Sequence, residues 1–343
     1  MIAILALVLS SSPAFADEAA PVAQAVSLLE RGDFASARRV LDAHLRAHRE
    51  DAHAHFYLGV ALAGLGERDL AIRNYEAAIA RDESIAPAHA NLGGLLREAG
   101  DLRRAVRELC RAVALDSADG VAQYNLGLAL RDFGKAPNAV RAFRNAARLL
   151  PDDPDPRNAL GALLSASGDR AGAMAAFEEA ARLAPRDPYP QINLATLRID
   201  LGREEDAVRN LEAARRLAAG DREVLSRVAH ALRRIRRFEE AVAASREALA
   251  AGAPDPALLC DLGLALKGAG QGAEAIAQFQ AAIRLDARFA TAHYLLGNAF
   301  ASEERWRDAV GAYERFLEVA PDSPQAEEAR GRLEFVRGRA ARR

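Results

Sequence analysis

Apolar and polar positions alternate along most of the chain with the period of a helix. Leu92, Leu95, Leu96 and Ala99 fall at i, i+3, i+4 and i+7, and Leu102, Ala105, Val106 and Leu109 repeat that spacing in the next segment. Each stripe predicts an amphipathic helix with one buried face. Gly100 stands between the two, where the backbone has to leave the helical region to turn back. Asp101 follows it, placed to accept a hydrogen bond from an exposed amide at the start of the second helix. Gly93 and Ala105 have almost no side chain, so the two helices are expected to cross closely there, with leucines filling the seam on either side.

The pattern recurs every 34 residues. Turn residues fall at Gly32, Gly66, Gly100, Gly134, Gly168, Gly202, Arg236, Gly270 and Glu304. Five positions beyond each stands an alanine without exception: Ala37, Ala71, Ala105, Ala139, Ala173, Ala207, Ala241, Ala275 and Ala309. Seven positions before each turn the residues are Ala25, Gly59, Gly93, Gly127, Gly161, Ala195, Ala229, Gly263 and Gly297. These three series define nine modules without insertion or deletion: 18–51, 52–85, 86–119, 120–153, 154–187, 188–221, 222–255, 256–289 and 290–323. A single hairpin of two such helices cannot bury its outer face, so each module must stack on the next.

The segments 88–116, AHANLGGLLREAGDLRRAVRELCRAVALD, and 123–151, QYNLGLALRDFGKAPNAVRAFRNAARLLP, carry the order of leucine, glycine, turn glycine and spaced alanines by which the chain resembles the tetratricopeptide repeat family. The first module departs from it, with Gln24 where the others have Leu58, Leu92, Leu126, Leu160, Leu194, Val228, Leu262 and Leu296. The resemblance implies an all-α fold, a right-handed α-solenoid of about nine hairpins. Residues 324–343 supply a closing helix and a basic tail: Ala326, Ala329, Leu333 and Val336 form its apolar stripe, with Arg330, Glu334 and Arg337 on the polar side. Among the connections, the proline-rich stretch 151–156 is the foremost candidate for a joint and 185–190 a milder one. Since the register runs through both, an ordinary inter-repeat turn stiffened by proline is the expected reading.

The first residues do not belong to this pattern. A short apolar run from Ile2 to Leu9 is broken at Pro13 and ends in Ala14, Phe15 and Ala16, which predicts a signal peptide over 1–16 and an exported chain starting at Asp17. The run is well short of the roughly 20 apolar residues that cross a bilayer, so stable membrane insertion is not expected.

Composition narrows the function classes. Half of the residues are hydrophobic and only 6% are aromatic, which disfavours disorder and an aromatic-rich sheet protein. The formal net charge of -2 gives no sign of a nucleic-acid partner. Two cysteines, Cys110 and Cys260, fall in distant modules and predict neither a disulfide framework nor a zinc site. His44, His48, His53 and His55 are close enough in sequence to raise a metal site, but no HExxH pattern or nearby cysteine supports it. His55, His89 and His293 share one repeat position, where the family places a large aromatic, and read as partly buried wedges. No GxSxG, HExxH or phosphate-loop pattern occurs, and acids such as Glu204, Glu205, Glu239 and Glu240 sit at helix starts, where they complement the positive end. No catalytic residue, cofactor or metal is expected.

In the family, the first helix of each hairpin lines the inner wall, and that resemblance places the candidate binding residues. One level holds Tyr124, Asn158, Ile192, Ser226, Cys260 and Tyr294, a second Asn91, Asn125 and Asn193, and a third Arg97, Arg131, Ser165, Arg233 and Lys267. Asparagine can bond an extended peptide backbone, and arginine or lysine a carboxylate. Arg97 and Arg131 are expected about 18 to 20 Å apart on one wall, from two helix diameters of 8 to 10 Å. The family's clamp for a terminal carboxylate is not matched, because Val60, Leu128 and Leu264 stand where it would use asparagine. The expected function is a non-enzymatic exported scaffold or adaptor that binds proteins or peptides. A polysaccharide-binding or export-complex adaptor and a non-catalytic subunit of an envelope enzyme complex remain as alternatives. The oligomeric state is left open.

Overall fold

A computed structural model of the chain describes residues 20–342, and the signal peptide expected over 1–16 lies outside them. The described residues form helices and turns only. The two helices of each hairpin are α1 (Ala20–Glu30) and α2 (Phe34–Ala47), α3 (Ala52–Gly64) and α4 (Arg68–Arg81), α5 (Ala86–Glu98) and α6 (Leu102–Leu115), α7 (Gly120–Asp132) and α8 (Ala136–Leu149), and α9 (Asp155–Ala166) and α10 (Arg170–Leu183). They continue as α11 (Pro188–Asp200) and α12 (Glu204–Leu217), α13 (Arg222–Arg234) and α14 (Phe238–Ala250), α15 (Pro256–Gly268) and α16 (Gly272–Leu285), and α17 (Ala290–Ser302) and α18 (Trp306–Val319), closed by α19 (Ala326–Ala340).

The chain divides into two compact units, one ending at Leu183 and the other beginning at Ala184. The division falls at the 185–190 stretch, not at 151–156, whose flanking helices α8 and α9 belong to the same unit. In each unit a helix packs first on its partner within the hairpin and then on the first helix of the next one, giving a stacked solenoid with a continuous apolar seam. The last helix buries Ala326, Ala329, Leu333 and Val336, the stripe read from the sequence, against α18.

Each hairpin turns in the same way. Gly100 has φ +84, its amide bonds Arg97 O at 3.0 Å, and the Asp101 amide reaches Leu96 O at 2.9 Å, a Schellman closure of α5. Arg236 (φ 60) and Glu304 (φ 54) adopt the same left-handed backbone with the same two bonds, although neither is glycine. A side chain there costs about 1 kcal/mol, so the hairpin geometry overrides local preference in these two modules. Asp101 caps α6 as expected, accepting from the Arg104 amide at 3.2 Å.

The helix crossing is set by sizes at two facing positions. All nine alanines of the second helices have no solvent exposure. Facing them, a methyl group added at Gly127 would lie 2.5 Å from the Phe143 ring, and Gly59, Gly161, Gly263 and Gly297 meet Tyr75, Phe177, Phe279 and Tyr313 in the same way. The aromatic residue is always 16 positions after the glycine. Where the first helix carries alanine instead, at Ala25 and Ala195, the residue 16 positions on is Leu41 or Leu211, and at Ala229 it is Ser245. A methyl group on one helix therefore goes with a smaller side chain on the other. We expect Gly127→Ala to cost about 1 to 3 kcal/mol by overpacking, and Phe143→Leu to recover part of that loss when the two are combined. A double-mutant cycle in denaturant checks it, and strict additivity would rule out a direct size match.

Candidate functional site

The inner levels expected from the sequence are packed more fully than a free binding wall would be. Ile192 and Cys260 are 5% and 3% exposed. The Tyr124 ring lies 5.9 Å from that of Phe143, and Tyr294 stands 6.2 Å from Tyr313 and 5.3 Å from Phe316. This level thus leans onto the second helix of its own hairpin, with Asn158 and Ser226 half-buried between. Burial pushes the Cys260 thiol up to about 12, with Asp261 and Asp255 adding to the rise. On the second level, Asn91 Nδ2 donates to the Tyr75 hydroxyl of the preceding hairpin at 3.4 Å, and Asn125 and Asn193 are half-buried.

On the third level the expected separation of Arg97 and Arg131 is corrected. Arg97 Nη1 reaches Asp132 Oδ2 at 3.0 Å, while Arg131 Nη2 reaches Asp132 Oδ1 at 2.8 Å, so one carboxylate joins both guanidinium groups. Long side chains from successive hairpins lean toward the acid between them and close a gap that helix spacing alone would leave open. The pair keeps one uncompensated positive charge. Ser165, at the equivalent place two hairpins on from Arg97, is half-buried.

In the second unit the same level is more polar still. Arg233 Nη2 lies 3.2 Å from His230 Nδ1, and both stand close enough to Asp261 to pull its carboxyl down, although burial wins and raises it above the usual range. Lys267 Nζ donates to Asn298 O at 3.3 Å. Burial and the nearby Arg332 charge lower the Lys267 ammonium against the opposing field of Glu303. Asn298 Oδ1 accepts from the Tyr313 hydroxyl at 2.7 Å and from Arg332 Nη1 at 2.8 Å, and Arg332 also pairs with Glu328 at 2.6 Å. The Arg332 guanidinium lies 5.9 Å from the centre of the Tyr294 ring. Asn298 and Arg332 were not among the residues read from the sequence. They lie 34 and 68 positions beyond Leu264, so extending that level to the last hairpin and α19 finds both.

The histidines take structural places. His89 reaches Glu83 O at 3.2 Å and Glu108 Oε2 at 2.9 Å, His55 reaches Arg49 O at 3.1 Å and Asn74 Oδ1 at 3.0 Å, and His293 reaches Ala287 O at 3.0 Å. All three tie the first helix to the loop six residues before it. His44 pairs with Asp51 at 2.7 Å and stacks on His48 at 4.6 Å. Among the described residues no group of three or more His, Cys, Asp or Glu side chains could hold a metal ion, and no helix is long and apolar enough to cross a membrane.

Repeat geometry of this kind can be compared directly with known families. Family models described as tetratricopeptide repeat match residues 22–67, 61–121, 124–188 and 292–327, and one described as TPR repeat matches 269–303, together more than half of the chain. The chain belongs to the tetratricopeptide repeat family. Two solved structures share the tetratricopeptide fold. A tetratricopeptide repeat protein from Parabacteroides merdae is 17% identical, with 72% of this chain and 97% of the other covered and a TM-score of 0.55. A structure described as a functional characterisation of pilF from Pseudomonas aeruginosa is 24% identical, with coverage of 58% and 90% and a TM-score of 0.52. No curated protein matches the chain. The tetratricopeptide solenoid is an architecture typical of non-catalytic scaffolds that bind proteins and peptides.

The burial of Cys260 is open to a direct check on this repeat protein. With the thiol held near 12 and the side chain buried, alkylation at pH 8 should modify Cys110 first, with Cys260 reacting at least about a hundredfold more slowly until the protein is unfolded. Equal native rates, read by peptide mass, would show that this inner level is open.

Proposed function

We propose that this tetratricopeptide repeat chain is an exported, non-enzymatic scaffold that holds a protein or peptide partner along the first helices of its hairpins. The observation that carries the reading is the gathering of donor groups on first helices and on α19 within each unit. Arg97 and Arg131 gather around Asp132, and Lys267, Asn298 and Arg332 form a bonded row. An extended peptide advances about 3.3 Å per residue, so within one unit it can meet such groups one after another, carboxylates facing the cations and, in the second unit, backbone facing the asparagine. Export rests on the Ala14-Phe15-Ala16 ending of the short apolar run.

The test has two readings. Native protein should have an intact mass lacking residues 1–16, and retention of Met1 would overturn export. A partner captured from an envelope extract should bind the Arg131→Ala, Lys267→Ala double variant about tenfold more weakly, with a shallower salt dependence. Equal affinity at two salt concentrations, with unchanged circular dichroism, would remove these residues from the binding surface.

A further inference from the structure

Although the chain is nearly neutral, with a formal net charge of -2, its outward charges are unevenly placed. Helix α6 carries Arg103, Arg104, Arg107 and Arg111 against one acid, Glu108, and α8 carries Arg141, Arg144 and Arg148 against none. Helix α12 instead sets Glu204, Glu205, Asp206 and Glu212 against Arg209, Arg215 and Arg216, and α14 sets Glu239, Glu240 and Glu247 against Arg246. The basic face is therefore a property of two helices, not of the repeat.

The arginines stand where nothing else is packed. Helix α6 buries Ala105, Leu109 and Ala112, and α8 buries Ala139, Phe143 and Ala146. At 100° per residue, Arg103, Arg107 and Arg111 fall on the opposite side of the first helix and Arg141, Arg144 and Arg148 on the opposite side of the second. All six are exposed. Second helices of successive hairpins come within side-chain reach, since Arg104 on α6 is ion-paired with Glu76 on α4. The acids near the stripe are already engaged: Glu108 with His89 and Arg107, and Glu83 with Arg111 at 3.6 Å. Arg103, Arg141, Arg144 and Arg148 have no carboxylate partner among the described residues.

We propose that this outer face of α6 and α8 is a peripheral docking surface for a membrane leaflet that displays anionic phospholipid headgroups. Charge complementarity and the lack of an anchor both point to that occupant. A protein interface concentrates its affinity in a few Trp, Tyr and Arg anchors packed into desolvated pockets, whereas the six arginines here are spread on an open face with no exposed aromatic side chain on either helix. The large apolar side chains exposed among the described residues are Leu65, Phe133, Leu285 and Phe335, and none of them lies on α6 or α8. A fluid headgroup layer needs no anchor, because it rearranges beneath a spread of fixed cations and each arginine near it contributes about fivefold in affinity. The attraction fades beyond about 8 Å at physiological salt, so only the outward stripe takes part. This surface does not depend on the first-helix reading, because its residues all lie on second helices.

The experiment is co-sedimentation of the full chain with vesicles of phosphatidylcholine alone or with 30 mole per cent phosphatidylglycerol, in about 0.05 M and 0.5 M salt, which bracket the range over which screening sets in. The wild type should prefer the anionic vesicles and lose that preference at high salt. Replacing Arg103, Arg107, Arg141 and Arg144 by glutamine should weaken anionic binding by about six hundredfold, while lysine at the same four positions should keep it. The Arg246→Gln, Arg284→Gln variant should bind as wild type. Circular dichroism confirms that each variant is folded. Equal binding to both vesicle types, or a glutamine variant that is folded and still binds, would overturn the proposal. So would tighter binding of duplex DNA or polyglutamate than of the vesicles, which would name a different polyanion as the occupant.

Discussion

Two helices of one hairpin meet where neither has room for more than a small residue, and the rest of the architecture follows from that approach. Alanine on the second helix is wholly buried in every hairpin, and glycine or alanine faces it from the first. With the axes held close, the large side chain 16 positions after the glycine lies across the first helix instead of pointing away from it. Leucines to either side are then carried onto the next hairpin, where they form the seam that makes stacking favourable. Loop chemistry serves this crossing and does not define it. Arg236 and Glu304 hold left-handed backbone at a local cost because the helices they join are already fixed by packing.

The same packing decides which polar groups remain for recognition. A first helix has one side on its partner and another on the neighbouring hairpin, so only a narrow strip is left over. Within that strip, side chains answer to each other before they answer to any ligand. Asp132 holds two arginines from different hairpins, and Asn298 accepts from a tyrosine of its own hairpin and from an arginine of α19. A partner that binds here has to exchange these internal bonds for its own, which favours ligands with carboxylates and backbone amides in a repeating arrangement and penalises apolar ones.

The sequence made the hairpins legible because their determinants are local and periodic. The turn residues, the nine alanines and the stripe of α19 all stand where the spacing puts them. The inner surface was read less well, because a 34-residue period says which residues are equivalent but not how far a flexible side chain leans. Arg97 and Arg131 are about one hairpin apart by helix geometry and share a carboxylate in fact. Ile192 and Cys260 have the same repeat position as Tyr124, yet they are buried. The division at Leu183 and Ala184 adjoins the 185–190 stretch, which proline content ranked behind 151–156. Proline stiffens a connection locally, whereas a compact unit is defined by the packing accumulated on each side of it.

The match in size at the helix crossing has a consequence for how such a chain can change over time. A hairpin with glycine and an aromatic ring and one with alanine and leucine are both well filled, but a single substitution cannot convert one into the other. If the methyl group arrives first, it strikes the ring. If the ring shrinks first, the hairpin reaches the composition of the third one, where Gly93 faces Leu109 and an added methyl group would still lie 2.5 Å from the leucine, which then has to shift to admit it. Substitution histories of the hairpins are therefore ordered, with loss on the second helix preceding gain on the first.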